Sequence, residues 1–92
     1  MYLFFYFKSK EKFYVYILYS EKLDIYYVGS TGNLDDRLIR HNSGRSKFTK
    51  PGIPWKVVFQ KEYETKIEAN RAELYIKSQK SRSYIENLIY NV

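Results

Sequence analysis

Apolar and polar positions along this chain follow two periods, and the changes between them mark out the elements. FYVYILY, residues 13–19, is β-branched and aromatic throughout; as a strand it places Tyr14, Tyr16 and Leu18 on one face and Val15, Ile17 and Tyr19 on the other. SEKLD is a polar turn, and IYYVGS, residues 25–30, reads as a second strand, so the pair predicts an antiparallel hairpin. TGN breaks the alternation. Asn33 suits a helix N-cap, with Asp35 and Asp36 in the first turn where the helix dipole favours negative charge. Leu34, Leu38 and Ile39 supply an apolar stripe, and the helix should stop near residues 42–44. Residues 44–54 form a basic loop punctuated by Gly and Pro, followed by a third strand at residues 55–63.

Thr65 and Glu68 have capping-box spacing, which predicts a helix from there to about Ser78. Ser83 and Glu86 repeat that spacing and predict a short last helix with Tyr84, Ile85, Leu88 and Ile89 inward. The order is β-β-α-β-α-α. A sheet of only three strands needs helices on it to bury its face. Residues 1–12, an aromatic run followed by KSKEK, are expected to be a leader, either an extra edge strand or a disordered arm. Residues 13–92 are expected to be one domain.

Composition narrows the function. Ninety-two residues fit a single domain, and 45% hydrophobic with 20% aromatic content excludes simple disorder. With no Cys and one His, thiol catalysis, disulfide scaffolds and the usual zinc patterns are out. A metal here would need carboxylates and water, which favours Mg²⁺ or Mn²⁺. The net charge of +6 and pI near 9.5 favour a polyanionic partner, the alternative being lysine used for solubility. MYLFFYF is too short for the ~20 residues that span a bilayer and lacks the marks of a secretory signal. An intracellular, cytoplasmic protein with no membrane association and no small-molecule cofactor is therefore expected.

Four features carry candidate chemistry. Tyr16 and Tyr27 lie on neighbouring strands, so their hydroxyls could converge; the alternative is that tyrosine merely makes good strands. Arg37 and His41 are four apart on one helix face. The Arg37 cation should hold His41 neutral and able to accept a proton near pH 7, unless both belong to a solvated face. Glu73 flanks the apolar stripe of Ala69, Ala72 and Ile76, where it is a plausible metal ligand or, more simply, the ion-pair partner of Lys77. Finally, no acidic residue falls between Asp36 and Glu62, while Arg40, Arg45, Lys47 and Lys50 do, with Phe48 and Trp55 interleaved. Charge with aromatics suits a surface that tracks phosphates and stacks on unpaired bases.

These motifs, in this order, resemble the GIY-YIG nuclease domain, and more closely its small stand-alone bacterial members, which are similar to the amino-terminal nuclease domain of the DNA-repair excinuclease. Tyr14-Val15-Tyr16 stands at the first tripeptide and Tyr27-Val28-Gly29 at the second; YVGSTGNLDDRLIRHNSG is the most specific stretch, and EANRAELYIKSQKSR resembles the metal-ligand helix. The resemblance implies an α/β (α+β) sandwich with a three-stranded antiparallel sheet flanked by three helices. It also implies a divalent-metal-dependent endonuclease that hydrolyses DNA phosphodiester bonds in branched, damaged or single-stranded DNA, with RNA left open. The alternative is a non-catalytic nucleic-acid-binding module of the same fold.

On that resemblance Tyr16 would be the general base or water-positioning hydroxyl, and Tyr27 would support the metal-bound water or the scissile phosphate. Gly29 would allow close backbone approach, Arg37 would hold the phosphate, and His41 would assist proton transfer. Glu73 would be the sole protein ligand of one Mg²⁺ or Mn²⁺. Arg40, Arg45, Lys47 and Lys50 would hold the nucleic acid. The chain departs from the family in placing Tyr14 where the family has its first Gly, and Ser30 where some members have lysine; Asn87 is the nearest match to an asparagine that often follows the metal-ligand helix.

Overall fold

A computed structural model describes residues 11–91. Strands β1 (Phe13–Ser20), β2 (Ile25–Thr31) and β3 (Trp55–Tyr63) form one antiparallel sheet in the order β2-β1-β3. Helices α1 (Leu34–Asn42), α2 (Lys66–Ser78) and α3 (Arg82–Tyr90) complete the expected order, and a single 3₁₀ turn (Lys50–Gly52) precedes β3. The expected leader lies outside the described residues apart from positions 11 and 12, which precede β1.

The strongest apolar run takes the centre. Val15, Tyr16, Ile17 and Leu18 of β1 are at most 1% exposed, so the strand is covered on both faces. Burying Val15, Ile17 and Leu18 contributes about 1.5–3 kcal/mol each. On one face Val15, Ile17 and Val28 pack with Ala69 and Ile76 of α2 and with the inward side of α3. On the other, Tyr16, Leu18 and Trp55 pack with Tyr27 and with Leu34 and Leu38 of α1. The sheet is thus the middle layer, with α1 on one side and α2 and α3 on the other. Tyr16 pairs with Gly29 and Leu18 with Tyr27, which puts both tyrosines on the α1 face. Opposite Ile17 and Leu18, β3 carries an extra residue, Val58, as a bulge.

Two local expectations are corrected. Ile39 is 61% exposed and not part of the inward stripe. Leu34 and Leu38 face the sheet, and the same side of α1 continues through buried His41, as positions spaced by three and four must. The cap of α3 is Ser81, whose hydroxyl accepts from Tyr84 N, and not Ser83. Lys80 takes a left-handed φ of 47°, which ends α2 and delivers the chain in extended form to Ser81. Glu86 does not reach back to a cap; it accepts from Arg82 and from the Tyr26 hydroxyl. Arg82 also pairs with Asp24 and covers the Tyr26 ring, tying the hairpin tip to α3.

Candidate active site

Tyr16 projects from the middle of β1 toward α1 and is fully buried. Its hydroxyl lies 3.2 Å from His41 Nε2. The ring occupies the space over Gly29: a Cβ there would meet the Tyr16 hydroxyl at 2.5 Å and Cζ at 2.6 Å. Tyr27, two residues along β2 on the same face, sets its ring 6.4 Å from that of Tyr16 and edge-on to His41 at 4.9 Å.

His41 is 3% exposed, and both ring nitrogens are engaged. Nδ1 is 2.8 Å from Thr49 Oγ1, and that hydroxyl donates to Ser46 O at 3.4 Å. With the Thr49 proton directed to Ser46, the imidazole carries its own proton on Nδ1 and leaves the Nε2 lone pair to accept from Tyr16. Burial, with Arg37 and Arg40 adding to it, holds the His41 pKa below the ordinary histidine value. Burial also pushes the Tyr16 phenol up to about 12; Tyr27 adds to this and the Arg37 guanidinium pulls the other way. At neutral pH the resting state is a protonated phenol donating to a neutral imidazole.

Thr49 is itself held. Its carbonyl accepts the Trp55 indole N–H at 2.7 Å, and Asn42 bonds both backbone groups of Trp55, at 2.6 and 2.9 Å. The expectation that Trp55 stacks on bases is therefore corrected: it is 4% exposed and anchors the loop that positions His41. Phe48, by contrast, is 89% exposed. Arg40, Arg45, Lys47 and Lys50 are exposed as well.

Arg37 is half-buried and lines a cleft of about 210 Å³ with Ser30, Gly32, Lys66 and Asn70. Among the described residues it is in no ion pair. Glu73 approaches from the opposite layer, because α2 packs on the other face. At the β2 edge its Oε1 accepts from Ser30 Oγ at 2.6 Å, and its Oε2 pairs with Lys77 Nζ at 2.5 Å. Ser30 Oγ also lies 2.9 Å from Asn70 Oδ1, so its one hydroxyl proton is shared between that amide oxygen and Glu73. Gly29 and Ser30 are consecutive, one facing Tyr16 and the other Glu73, so this step of the edge strand joins the two halves. Glu73 is close enough for its charge to raise the Tyr16 pKa.

The structure thus gathers Tyr27, Arg37, His41 and Gly29 around Tyr16 and brings Glu73 to the next residue of β2, Ser30. Asn87 is exposed on α3, where it bonds Asn91. Thr49, Asn42 and Asn70 are neighbours of these residues that sequence reasoning missed, and Ser30, noted there only as a departure from lysine, bonds Glu73. Among the described residues no group of three or more His, Asp or Glu side chains is assembled. Glu73, Ser30 and Asn70 offer only oxygen donors of the hard kind that Mg²⁺ and Mn²⁺ accept, one of them a carboxylate, so the residues fit a cation that keeps several waters. No helix of the described residues is long and apolar enough to cross a membrane.

The fold is a three-layer α/β sandwich that carries paired tyrosines, a helix-borne arginine and histidine, and one carboxylate at a sheet edge. The family model for the GIY-YIG catalytic domain matches residues 12–87, and the chain belongs to the GIY-YIG nuclease family. It is 35% identical over 77 residues to a UPF0213 protein of Limosilactobacillus reuteri, covering 80% of this chain and 79% of that one. A UPF0213 protein of Clostridium perfringens is 43% identical over 65 residues, covering 70% and 69%. The solution NMR structure of a UPF0213 protein from Bacillus halodurans has a similar fold, with a TM-score of 0.54, 35% identity, and coverage of 85% of this chain and 82% of that one.

Proposed function

We propose that this protein is a divalent-metal-dependent endonuclease that hydrolyses phosphodiester bonds in DNA and acts in the cytoplasm. The observation that carries this reading is the buried bond between Tyr16 and the neutral His41, set over Gly29 and beside an arginine that among the described residues is in no ion pair. A phenol with a pKa of about 12 gives up its proton only to an acceptor already in place, and His41 Nε2 is that acceptor. Tyr16 then orients and deprotonates the attacking water while passing its own proton to His41, whose Nδ1–H stays fixed on Thr49. Arg37 holds a non-bridging phosphate oxygen and meets the charge that develops on it. Tyr27, packed against His41, limits the imidazole to one orientation and faces the same space.

Glu73, with Ser30 and Asn70 beside it, would hold the cation, which supplies Lewis-acid stabilisation of the departing oxygen. Arg40, Arg45, Lys47 and Lys50 would carry the flanking phosphates. The competing reading is a non-catalytic binding module, and one contact favours it: Lys77 already neutralises Glu73, so the carboxylate need not repel a phosphate backbone. Incubating the protein with nicked, flapped and single-stranded DNA plus Mg²⁺ or Mn²⁺, beside Tyr16→Phe and Glu73→Gln variants, separates the two. Cleavage lost in both variants with binding retained supports the enzyme. Binding without cleavage by the unaltered protein assigns the module.

A further inference from the structure

A groove of about 600 Å³ opens beside the candidate active site, within the usual size range of ligand sites. Tyr26, Tyr27, Phe48, Lys77, Lys80 and Ile85 line it. It shares Tyr27 and Lys77 with the site just described, so whatever lies in it continues from the reacting centre. Its walls combine aromatic faces with two ammonium groups. No carboxylate lines it; Glu73 is paired with Lys77, and Glu86 accepts from Tyr26 and shares the Arg82 guanidinium with Asp24.

Two residues are costly to explain otherwise. Phe48 is 89% exposed although it follows Lys47 in a polar loop, and a lone phenylalanine left in water gains nothing for folding. Lys80 holds a left-handed φ of 47°, where glycine or asparagine would sit with less strain. Lys77 already supplies a cation for the last turn of α2, so the helix dipole does not require Lys80.

We propose that this groove binds an unstacked nucleotide of single-stranded DNA next to the cleavage point. The base lies on Phe48 and the tyrosine edges, and an adjoining phosphate lies on Lys80, which among the described residues is in no ion pair. This deepens the nuclease reading and rests on it: the preferred substrate carries a single-stranded flank, as a flap or an open branch does. Stacking tolerates any base, so the groove selects strandedness and not sequence.

The test is binding of a labelled single strand and of a blunt duplex of equal length, followed by fluorescence anisotropy in EDTA so that nothing is cut. Phe48→Ala should weaken single-strand binding by about tenfold and duplex binding by less than about twofold, with Phe48→Trp restoring it. Lys80→Gly removes the charge while easing the backbone. It should keep or raise the melting temperature, weaken single-strand binding, and lower the slope of log affinity against log salt by about 0.7. Equal losses on single strand and duplex, or none on either, overturn the groove assignment while leaving the nuclease reading intact. A dimer seen by light scattering and lost in Phe48→Ala, with single-strand affinity unchanged, assigns the groove to a second copy and also overturns it. Absence of affinity for any DNA removes the nuclease reading itself.

Discussion

The Tyr16 hydroxyl and Gly29 compete for one volume: a methyl group on residue 29 would lie 2.5 Å from that oxygen. The ring cannot swing aside, because it is fully buried and paired with His41. Gly29→Ala should therefore cost about 1–3 kcal/mol of stability through overpacking. It should also displace the phenol enough to lower cleavage by about a hundredfold. Tyr16→Phe separates the two effects, since it keeps the ring and removes only the oxygen: cleavage should fall by about 10²–10⁴-fold with a smaller loss of stability. Urea midpoints beside single-turnover cleavage rates check both. A Gly29→Ala protein as active as the parent would show that the close approach has no functional role.

His41 is the only histidine in the chain, which makes its titration directly observable by NMR. Its folded pKa is depressed by burial and by the Arg37 and Arg40 charges, so the unfolded chain binds the proton more readily. The sign follows: this group's contribution to stability is present above the unfolded value of about 6.5 and is lost as pH falls through the lower folded value. The acid limb of the cleavage profile should coincide with the NMR midpoint, because a protonated Nε2 cannot accept from Tyr16. Thr49→Val removes the group that fixes Nδ1–H and should lower cleavage by about tenfold or more while leaving Arg37 in place. A midpoint above the ordinary histidine value would contradict the arrangement.

The α3 cap gives a purely structural check. Ser81→Ala should destabilise the protein by about 1 kcal/mol, since it leaves the Tyr84 amide without its acceptor. Ser83→Ala should change stability by less than about 0.5 kcal/mol. Denaturant midpoints for the two variants decide it, and the reverse order would restore the cap to Ser83.

Strand positions were legible because β1 is β-branched and aromatic throughout, and β3 falls at Trp55–Tyr63 as the pattern predicts. Helix starts at Asn33 and Thr65 were equally legible, because both side chains cap in the expected way. The α1 stripe misled at Ile39, because the buried position that continues the side of Leu34 and Leu38 is His41, where an apolar residue is normally sought. Ser83 misled because a spacing rule does not register the left-handed Lys80 that turns the chain three residues earlier. Tyr16, Tyr27, Arg37, His41 and Glu73 could be named from motifs. Thr49 and Asn42 could not, since their contacts depend on the path of a loop, which leaves no periodic trace.

The basic surface predicts a specific salt response. Each of Arg40, Arg45, Lys47 and Lys50 that contacts a phosphate should, when replaced by alanine, lower the slope of log affinity against log salt by about 0.9 on duplex DNA. Lys56 is the matched control: it is paired with Glu21 at 3.8 Å, and Lys56→Ala should leave the slope unchanged. Anisotropy titrations across salt concentrations measure this, and an unchanged slope in all four variants would move the nucleic-acid surface elsewhere.

Glu73 makes the metal question testable without cleavage. Its two oxygens are held by Ser30 and Lys77, so a divalent cation must compete with the Lys77 ammonium for Oε2. Mg²⁺ or Mn²⁺ that binds only the folded protein should raise stability by about 2.7 kcal/mol at a hundred times its Kd, read as a saturable shift in melting temperature. Glu73→Gln removes the one carboxylate and should abolish the shift. Lys77→Gln removes the competitor, so the same shift should appear at lower cation concentration. An undiminished shift in Glu73→Gln would place the cation away from the β2 edge. A response in Lys77→Gln that needs more cation than the parent would mean that the ammonium orients the carboxylate for metal instead of competing for it.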